Sequence, residues 1–153
     1  MSALRDLVVL DLASVGPAAR ASRILADYGL QIVKVAPVQA SSAKQVDPVF
    51  HAYGAGRGTR RMRVDLKAAG GRATIQRLAA HVDVVIESYR PGVAARLGVG
   101  WEALRAANPR LVYCSTSGCG QHGRYADWVG HDINYQALSG YLACTERNAK
   151  GVP

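Results

Sequence analysis

The chain has 153 residues, of which 49% are hydrophobic and 20% are charged, a composition that excludes a disordered chain and fits one globular domain. Its apolar runs are far shorter than the roughly 20 residues of a membrane-spanning helix, and no signal-like segment precedes them, so we expect a cytoplasmic protein outside the membrane. A formal net charge of +8 indicates an anionic partner, either nucleic acid or a phosphorylated small molecule.

Short apolar runs alternate with segments of helical periodicity along most of the chain. In chain order they predict a strand at 7–12, a helix at 18–29, strands at 31–35 and 62–67, a helix at 72–80, a strand at 83–89, a helix at 101–108 and a strand at 111–118. Pro91 is predicted to open a helical turn, and residues 36–56 predict a long loop of the kind that often carries function. The alternation indicates an α/β, Rossmann-like domain with a mostly parallel sheet and flanking helices.

The first predicted helix has a candidate buried face and a candidate end. Ala21, Ile24, Leu25 and Tyr28 follow the i, i+3, i+4, i+7 spacing of one helical face, which predicts that this face packs against the sheet. Gly29 is the expected C-terminal stop, because glycine adopts the left-handed conformation that ends many helices.

Several loops are expected to meet at one edge of the sheet. Ligands of parallel sheets bind beyond the carboxyl ends of the strands, which groups the turn at 14–17, the segment around Ala36 and the loops at 87–92 and 115–123. The excess positive charge lies mainly in one stretch, at Arg57, Arg60, Arg61, Arg63 and Lys67. This stretch lacks the interleaved aromatic residues of single-strand nucleic-acid binders, and most of its side chains are expected to lie in solvent.

Two short motifs lie in these loops. Gly118, Gly120 and Gly123 form a G-x-G-x-x-G, but no helical face follows it, so a tight loop is favoured over a dinucleotide site. The Arg-Pro-Gly at 90–92 has two interpretations of equal weight. It is either a plain strand-to-helix turn with a solvated arginine, or a guanidinium and a helix N-terminus directed at phosphate.

Among the four histidines, His131 occupies the most informative position. It joins a glycine-rich loop to a helical pattern at 133–138, where an imidazole would face a cleft and exchange protons. The adjacent Asp132 is a candidate helix cap or first-turn acid, and spacing alone favours this structural role. No disulfide or metal site is expected from the cysteines, which lack CxxC pairing and ligand spacing: Cys114, Cys119 and Cys144.

Four longer segments together resemble a known family. They are LVVLDLASVGPAARASRILADYGLQIVKV, GRGTRRMRVDLK, HVDVVIESYRPGVAARLGVGWEALRAANPRLVYCSTSGCGQHG and GHDINYQALSG, between about residues 4 and 143. This order resembles the N-terminal part of the class III CoA-transferase family, which includes the α-methylacyl-CoA racemases. The resemblance implies that 1–153 is a single α/β domain that binds a coenzyme A thioester as substrate, without a covalently bound cofactor, and that full-length relatives form homodimers.

The resemblance also implies site residues. The implied contacts to coenzyme A are Val15, Gly16, Pro17, Lys34, Arg57, Tyr89, Arg90, Pro91, Gly92, Gly118, Gly120 and Gln121. The segment GHDINY is similar to the racemase branch, in which His131 would take or return the α-proton of a 2-methylacyl-CoA and Asp132 would support it. The sequence departs from the family pattern at Ala36, Gly56, Thr59 and Arg124, which bears on acyl-CoA specificity.

Racemisation requires two groups on opposite faces of the α-carbon, with donors that stabilise the enolate oxygen. In the family, a downstream aspartate is the second base of the racemases or the nucleophile of the transferases, and it would lie beyond Pro153. We therefore expect an incomplete family member that does not racemise alone. The alternatives are a transferase that moves coenzyme A between carboxylic acids and a non-catalytic truncated paralogue.

Overall fold

The computed structural model describes residues 4–13, 16–38, 58–147 and 149–151. The chain divides into two compact units, Met1–Ser117 and Gly118–Pro153. The strands, all in the first unit, are β1 (Val8–Asp11), β2 (Gln31–Ala36), β3 (Thr59–Arg63), β4 (Val84–Glu87) and β5 (Val112–Ser115). The helices are α1 (Gly16–Asp27), α2 (Ala69–Ala79), α3 (Val93–Arg96), α4 (Trp101–Ala107) and α5 (Asp132–Leu138), followed by a 3₁₀ helix at Tyr141–Cys144.

The described strands form one parallel sheet in the order β3-β2-β1-β4-β5. This order is that of the first five strands of a Rossmann sheet, and the predicted α/β fold class is confirmed. The strand order reverses beside β1, because β2 and β3 lie on one side of it and β4 and β5 on the other. The topological switch point therefore lies at the carboxyl ends of β1 and β4, where Asp11 and Glu87 are the last strand residues.

Both faces of the sheet are buried at its central strands β1, β2 and β4, whereas the edge strands β3 and β5 are partly exposed. Val9 and Ile86 belong to one apolar cluster, while the adjacent Leu10 belongs to a larger cluster on the other face, because neighbouring strand residues point to opposite sides. The larger cluster also contains Ile75 of α2 and Leu104 of α4. The central strands thus lie between helices that pack on the two faces of the sheet.

The buried face of α1 differs from the predicted one. Ile24 is 48% exposed and Tyr28 is 62% exposed, and Ala21 is exposed as well. The helix instead buries small residues: Ala18, Ala19 and Ser22. Small side chains let the helix approach the sheet closely, so of the predicted face Leu25 alone packs against the apolar cluster in this part of the chain.

The predicted stop at Gly29 is confirmed. Gly29 has a φ of 98°, in the left-handed region. The amide of Leu30 donates to the carbonyl of Leu25 at 3.1 Å, and the amide of Gly29 donates to that of Ala26 at 3.0 Å. These two bonds form a Schellman motif, which satisfies the last carbonyls of the helix.

The third strand lies upstream of its predicted position. β3 shares only Met62 and Arg63 with the predicted range, because the chain turns at Asp65. The Oδ1 atom of Asp65 accepts a hydrogen bond from the amide of Lys67 at 2.9 Å, and its carbonyl accepts one from the amide of Ala68 at 3.2 Å. This side-chain turn ends the extended conformation, which hydrophobic spacing alone did not reveal.

The remaining predicted elements are found close to their expected positions. Those at 31–35, 83–89, 101–108 and 111–118 correspond to β2, β4, α4 and β5. Within the described ranges, none of the helices has the length and apolar character that crossing a bilayer requires.

Helix α2 begins before its predicted start, so that Gly70 and Gly71 lie in its first turn. A Cβ atom at Gly71 would overlap the backbone carbonyl of Asp65, whereas the space around Gly70 is open. Glycine is therefore required at the second position but not at the first.

We expect alanine at these two glycines to change stability in opposite directions. Gly70→Ala should raise the free energy of unfolding by up to about 1 kcal/mol, because it removes the entropic cost of glycine in a helix. Gly71→Ala should lower it by roughly 1–3 kcal/mol, because the backbone must shift to admit the methyl group. Urea unfolding of both variants measures the difference, and changes of the same sign would contradict this packing.

Candidate functional site

Four buried polar side chains lie near the carboxyl edge of the sheet at the switch point. They are Asp11, Ser22, Lys34 and Glu87, whose exposed fractions are 0%, 2%, 1% and 3%. We call them the switch-point cluster. Charged groups are rarely buried this completely unless they are paired or hydrogen-bonded, because the interior solvates them poorly.

Asp11 is the centre of one half of this cluster. Its Oδ2 atom lies 2.5 Å from Nζ of Lys34 on β2 and also accepts a hydrogen bond from Oγ of Ser22 on α1. Its Oδ1 atom accepts a hydrogen bond from the amide of Ala13 at 2.8 Å. Nζ of Lys34 in turn lies 3.4 Å from the carbonyl oxygen of Ala13. One carboxylate therefore joins β1, β2 and α1 at the carboxyl edge of the sheet.

Glu87 is the centre of the other half. Its Oε2 atom accepts a hydrogen bond from the amide of Tyr89 at 2.6 Å, and its Oε1 atom accepts one from Oγ of Ser115 on β5. Its carbonyl accepts a hydrogen bond from Oγ1 of Thr116 at 3.1 Å. In the described part of the chain, hydrogen-bond donors rather than a cation hold this carboxylate, which fixes the start of the loop after β4.

Two tyrosine hydroxyls near these carboxylates have raised pKa values. Burial raises the pKa of Tyr89 above the ordinary value of 10.0, and the charges of Glu87 and Asp11 raise it further. Burial raises the pKa of Tyr113 on β5 as well, with Glu87 and Tyr89 as the smaller causes. The pKa of each tyrosine is higher in the folded than in the unfolded protein. The stability that these two groups contribute is therefore present below pH 10.0 and is lost as the pH rises through their folded pKa values.

The Arg-Pro-Gly at 90–92 forms a turn, and this corrects the predicted start of a helix at Pro91. The amide of Val93 donates to the carbonyl of Arg90 at 3.0 Å, and Gly92 has a φ of 77°. Proline followed by a left-handed glycine is the pattern of a type II turn, so α3 begins only at Val93. Arg90 itself is exposed beyond the carboxyl end of β4, which both interpretations of this motif allow.

The other implied contacts in the first unit differ in accessibility. Gly16 begins α1 with a φ of 81°, and Pro17 is exposed in the first helical turn. Lys34 is buried against Asp11, so the structure gives it an internal partner, and its contact with coenzyme A stays a prediction. Of the remaining members, Val15 and Arg57 lie outside the described residues.

In the second unit, His131 is the N-cap of α5, with extended backbone angles of −120° and 173°. Its amide donates to Oδ1 of Asn134 at 2.8 Å, and the amide of Asn134 donates to its carbonyl at 2.9 Å. Asp132 lies in the first turn and accepts a hydrogen bond from Nε2 of Gln136. The first-turn interpretation of Asp132 is thus confirmed, and both His131 and Asp132 are exposed.

The local structure of the second unit favours glycine at four positions. The phenol of Tyr135 packs so closely against Gly118 and Gly130 that neither position has room for a Cβ atom. Gly120 and Gly123 have φ values of 85° and 100°, which L side chains rarely adopt. The favoured interpretation of G-x-G-x-x-G as a tight loop is confirmed, because the next helix begins only at Asp132.

Gln121 shares one feature with Ser117, a buried side-chain polar atom that has no hydrogen-bond partner among the described residues. In Gln121 this atom is Nε2. An unpaired buried donor costs about 1–3 kcal/mol, so such groups usually meet a ligand, an ordered water or another polypeptide segment. Gln121 was among the implied contacts to coenzyme A, and this orphaned donor is the structural observation that fits that role.

Sequence reasoning missed three members of the switch-point cluster as functional candidates: Asp11, Ser22 and Glu87. Two of them carried a readable signal, since each acidic residue follows an otherwise apolar strand in LVVLD and VVIE. A charge at the last position of a buried strand stands at the edge where α/β sheets bind ligands.

Comparison with known proteins gives one consistent family. Residues 4–153 match the family model described as CoA-transferase family III. The chain is 38% identical over 148 residues to the α-methylacyl-CoA racemase of Homo sapiens, covering 97% of this chain and 37% of that protein. It is 35% identical over 156 residues to the succinate–glutarate CoA-transferase of Agrobacterium fabrum, covering 93% of this chain and 39% of that protein.

Solved structures agree with this result. A CAIB/BAIF family protein from Brucella suis superposes with a TM-score of 0.84 at 30% identity, covering 99% of this chain and 43% of that one. A hypothetical protein from Mycobacterium tuberculosis gives 0.87 at 29% identity, covering 100% and 44%. The chain thus spans well under half the length of the relatives that it matches.

Proposed function

Because the chain belongs to CoA-transferase family III, we propose that its α/β unit binds a coenzyme A thioester at the carboxyl edge of the sheet. The observation that carries this proposal is the switch point between β1 and β4, since parallel α/β sheets bind ligands there. The exposed Arg90 beyond β4 supports it, because a guanidinium is well suited to phosphate groups.

We further propose that the second unit supplies His131 as the base that exchanges the α-proton of a 2-methylacyl-CoA. The identity of 38% to the human racemase supports this chemistry, as does the exposed imidazole at the N-cap of α5. Imidazole accepts and returns protons near neutral pH. Asp132 is a supporting residue at the same helix end. Exchange of the α-proton requires one such base, whereas racemisation requires a second group on the opposite face of the carbon.

A CoA-transferase is the second candidate. It is supported by the similarity to the Agrobacterium fabrum enzyme and by 34% identity to the succinyl-CoA–D-citramalate CoA-transferase of Chloroflexus aurantiacus. In such a reaction, a carboxylate attacks the carbonyl carbon of the thioester, and the carbon–sulfur bond breaks. The acyl group is then held as an anhydride, and coenzyme A is released for transfer to the acceptor.

One experiment separates these functions. The chain is incubated with a 2-methylacyl-CoA in deuterated water, with and without an acceptor carboxylic acid, and the thioesters are analysed by mass spectrometry. Deuterium at the α-carbon without an acceptor supports proton exchange. A new thioester that forms only with the acceptor supports the transferase. Binding of coenzyme A in a calorimeter without either reaction would identify a non-catalytic binding domain, and no binding would overturn the proposal.

We also propose that the protein acts as a homodimer, as the family resemblance implies. Its second unit exposes large apolar side chains that a partner surface would cover, among them Trp128 at 53%, Ile133 at 61% and Leu138 at 68%. Sedimentation equilibrium tests this proposal, and a monomer at all concentrations would contradict it.

We expect Gln121→Met to weaken coenzyme A binding without lowering stability. Methionine has a similar length and removes the unpaired buried donor, so the free energy of unfolding should stay constant or rise by about 1 kcal/mol. A lost hydrogen bond to the ligand should raise the dissociation constant roughly fivefold to tenfold. Calorimetry and thermal unfolding measure the two quantities.

The matched control is Gln76→Met, since Nε2 of Gln76 donates to the carbonyl of Gly98 at 2.9 Å. This variant should lose stability and keep its affinity. An unchanged dissociation constant in Gln121→Met would remove Gln121 from the ligand site.

A further inference from the structure

The ion pair between Asp11 and Lys34 contacts the chain at Ala13, beyond the last residue of β1. As far as Leu12, backbone bonding to β4 fixes the chain, since the amide of Leu12 donates to the carbonyl of Ile86 at 2.8 Å. At Ala13 this bonding is replaced by the pair: Asp11 accepts from its amide at 2.8 Å, and Lys34 lies 3.4 Å from its carbonyl oxygen. Both polar groups of Ala13 thus depend on one buried pair.

The same carboxylate also contacts the middle of α1, at Ser22. Ser22 donates to Oδ2 of Asp11, and its Oγ atom lies 3.1 Å from the carbonyl of Ala19. Gly16 and Pro17, two of the implied coenzyme contacts, lie between Ala13 and this anchored turn. A shift of the pair would therefore displace Ala13, which precedes Gly16 and Pro17 in the chain, and Ser22, which follows them.

Stability alone does not require a charged pair here. Removing two charges from water is costly, and apolar residues of similar volume usually stabilise a core as well or better. What apolar side chains cannot provide is a donor and an acceptor directed at the backbone of one residue.

We propose that Asp11 and Lys34 are positioning residues, which set the coenzyme-binding edge through Ala13 without touching the ligand. The inference rests on the proposed function, because it takes the carboxyl edge of the sheet as the place where coenzyme A binds. Lys34, which the family resemblance would make a direct contact, acts from the interior through the backbone.

The test uses the double variant Asp11→Val with Lys34→Met, which replaces the pair by apolar side chains. The unfolding midpoint should stay close to that of the wild type, while the dissociation constant for coenzyme A rises about tenfold, because both bonds to Ala13 are lost. The control is Ile75→Val in the larger apolar cluster, which should lower the midpoint and leave the affinity unchanged. A double variant with wild-type affinity would overturn the inference.

A second measurement needs no variant. Hydrogen exchange of the Ala13 amide in the wild-type chain should be slow, comparable to that of the Leu12 amide, and slower again with coenzyme A. Rapid exchange at Ala13 in both conditions would overturn the inference. A wild-type chain that does not bind coenzyme A would overturn the proposed function and this inference with it. Equal binding by wild type and double variant would overturn the inference alone.

Discussion

Replacing His131 by glutamine should lower the rate of α-deuterium incorporation into a 2-methylacyl-CoA by roughly 10²–10⁴-fold, the range that a positioned general base contributes. Glutamine is polar but does not accept and release a proton near neutral pH. The helix end should survive, because the bonds between His131 and Asn134 that the structure shows there join the amide and carbonyl of residue 131 to its partner. The rate is measured by mass spectrometry over time in deuterated water.

The matched control is His122→Gln, which changes another exposed histidine of the same unit. It should exchange deuterium at the wild-type rate, since His122 lies in the glycine loop rather than at the end of α5. Equal losses in the two variants would mean that the effect is structural, and a wild-type rate in His131→Gln would exclude this imidazole as the base.

Replacing Lys34 by methionine should lower the free energy of unfolding by about 3–5 kcal/mol, because the single substitution leaves the carboxylate of Asp11 buried without its counterion. Methionine has a similar length and an apolar end, so little of this loss arises from an altered volume. Asp11 is 0% exposed and therefore gains little from water. Unfolding in guanidinium chloride measures the loss.

Two further variants test whether this loss of stability arises from the unpaired carboxylate of Asp11. Lys67→Met removes an exposed lysine and should change the free energy of unfolding by no more than about 0.5 kcal/mol. Adding Asp11→Val to Lys34→Met should restore most of the lost stability, because no unpaired charge then remains. A loss in Lys34→Met as small as that in Lys67→Met would show that the ion pair does not form.

The fold was readable from the sequence because its signals are local. Apolar runs of strand length alternating with helical segments predicted a parallel α/β sheet, and Gly29 marked the end of α1 before the Schellman motif was seen. β3 was misplaced because Val64 and Leu66 pack against the larger apolar cluster from outside the strand. Their alternation imitates a strand, although the chain has already begun to turn at Asp65.

The buried face of α1 was predicted wrongly for a different physical reason. Periodicity selects the largest apolar residues, here Ile24 and Tyr28, whereas close packing against a sheet selects the smallest. Ser22 adds a polar bond to Asp11 in the same interface. The residue pattern of a helix does not indicate a hydrogen bond between that helix and a strand.

The sequence did not reveal the switch-point cluster either, because its members interact with residues of other elements. Asp11 and Lys34 are 23 residues apart in sequence, and each alone reads as a charge that interrupts an apolar run. The resemblance suggested that Lys34 meets the ligand, while the structure shows an internal pair. The assignment of His131 came from the resemblance, because spacing alone favoured a structural helix end.

Chemical-shift changes of the backbone amides, measured while coenzyme A is added to the isotopically labelled chain, test the central claim most directly. Binding at the carboxyl edge predicts the largest changes at Ala13, Tyr89 and Arg90. It predicts none at Leu7, Leu30 and Asp83, which lie at the opposite ends of the strands. Changes confined to that opposite edge, or no changes at saturating coenzyme A, would contradict the proposed site.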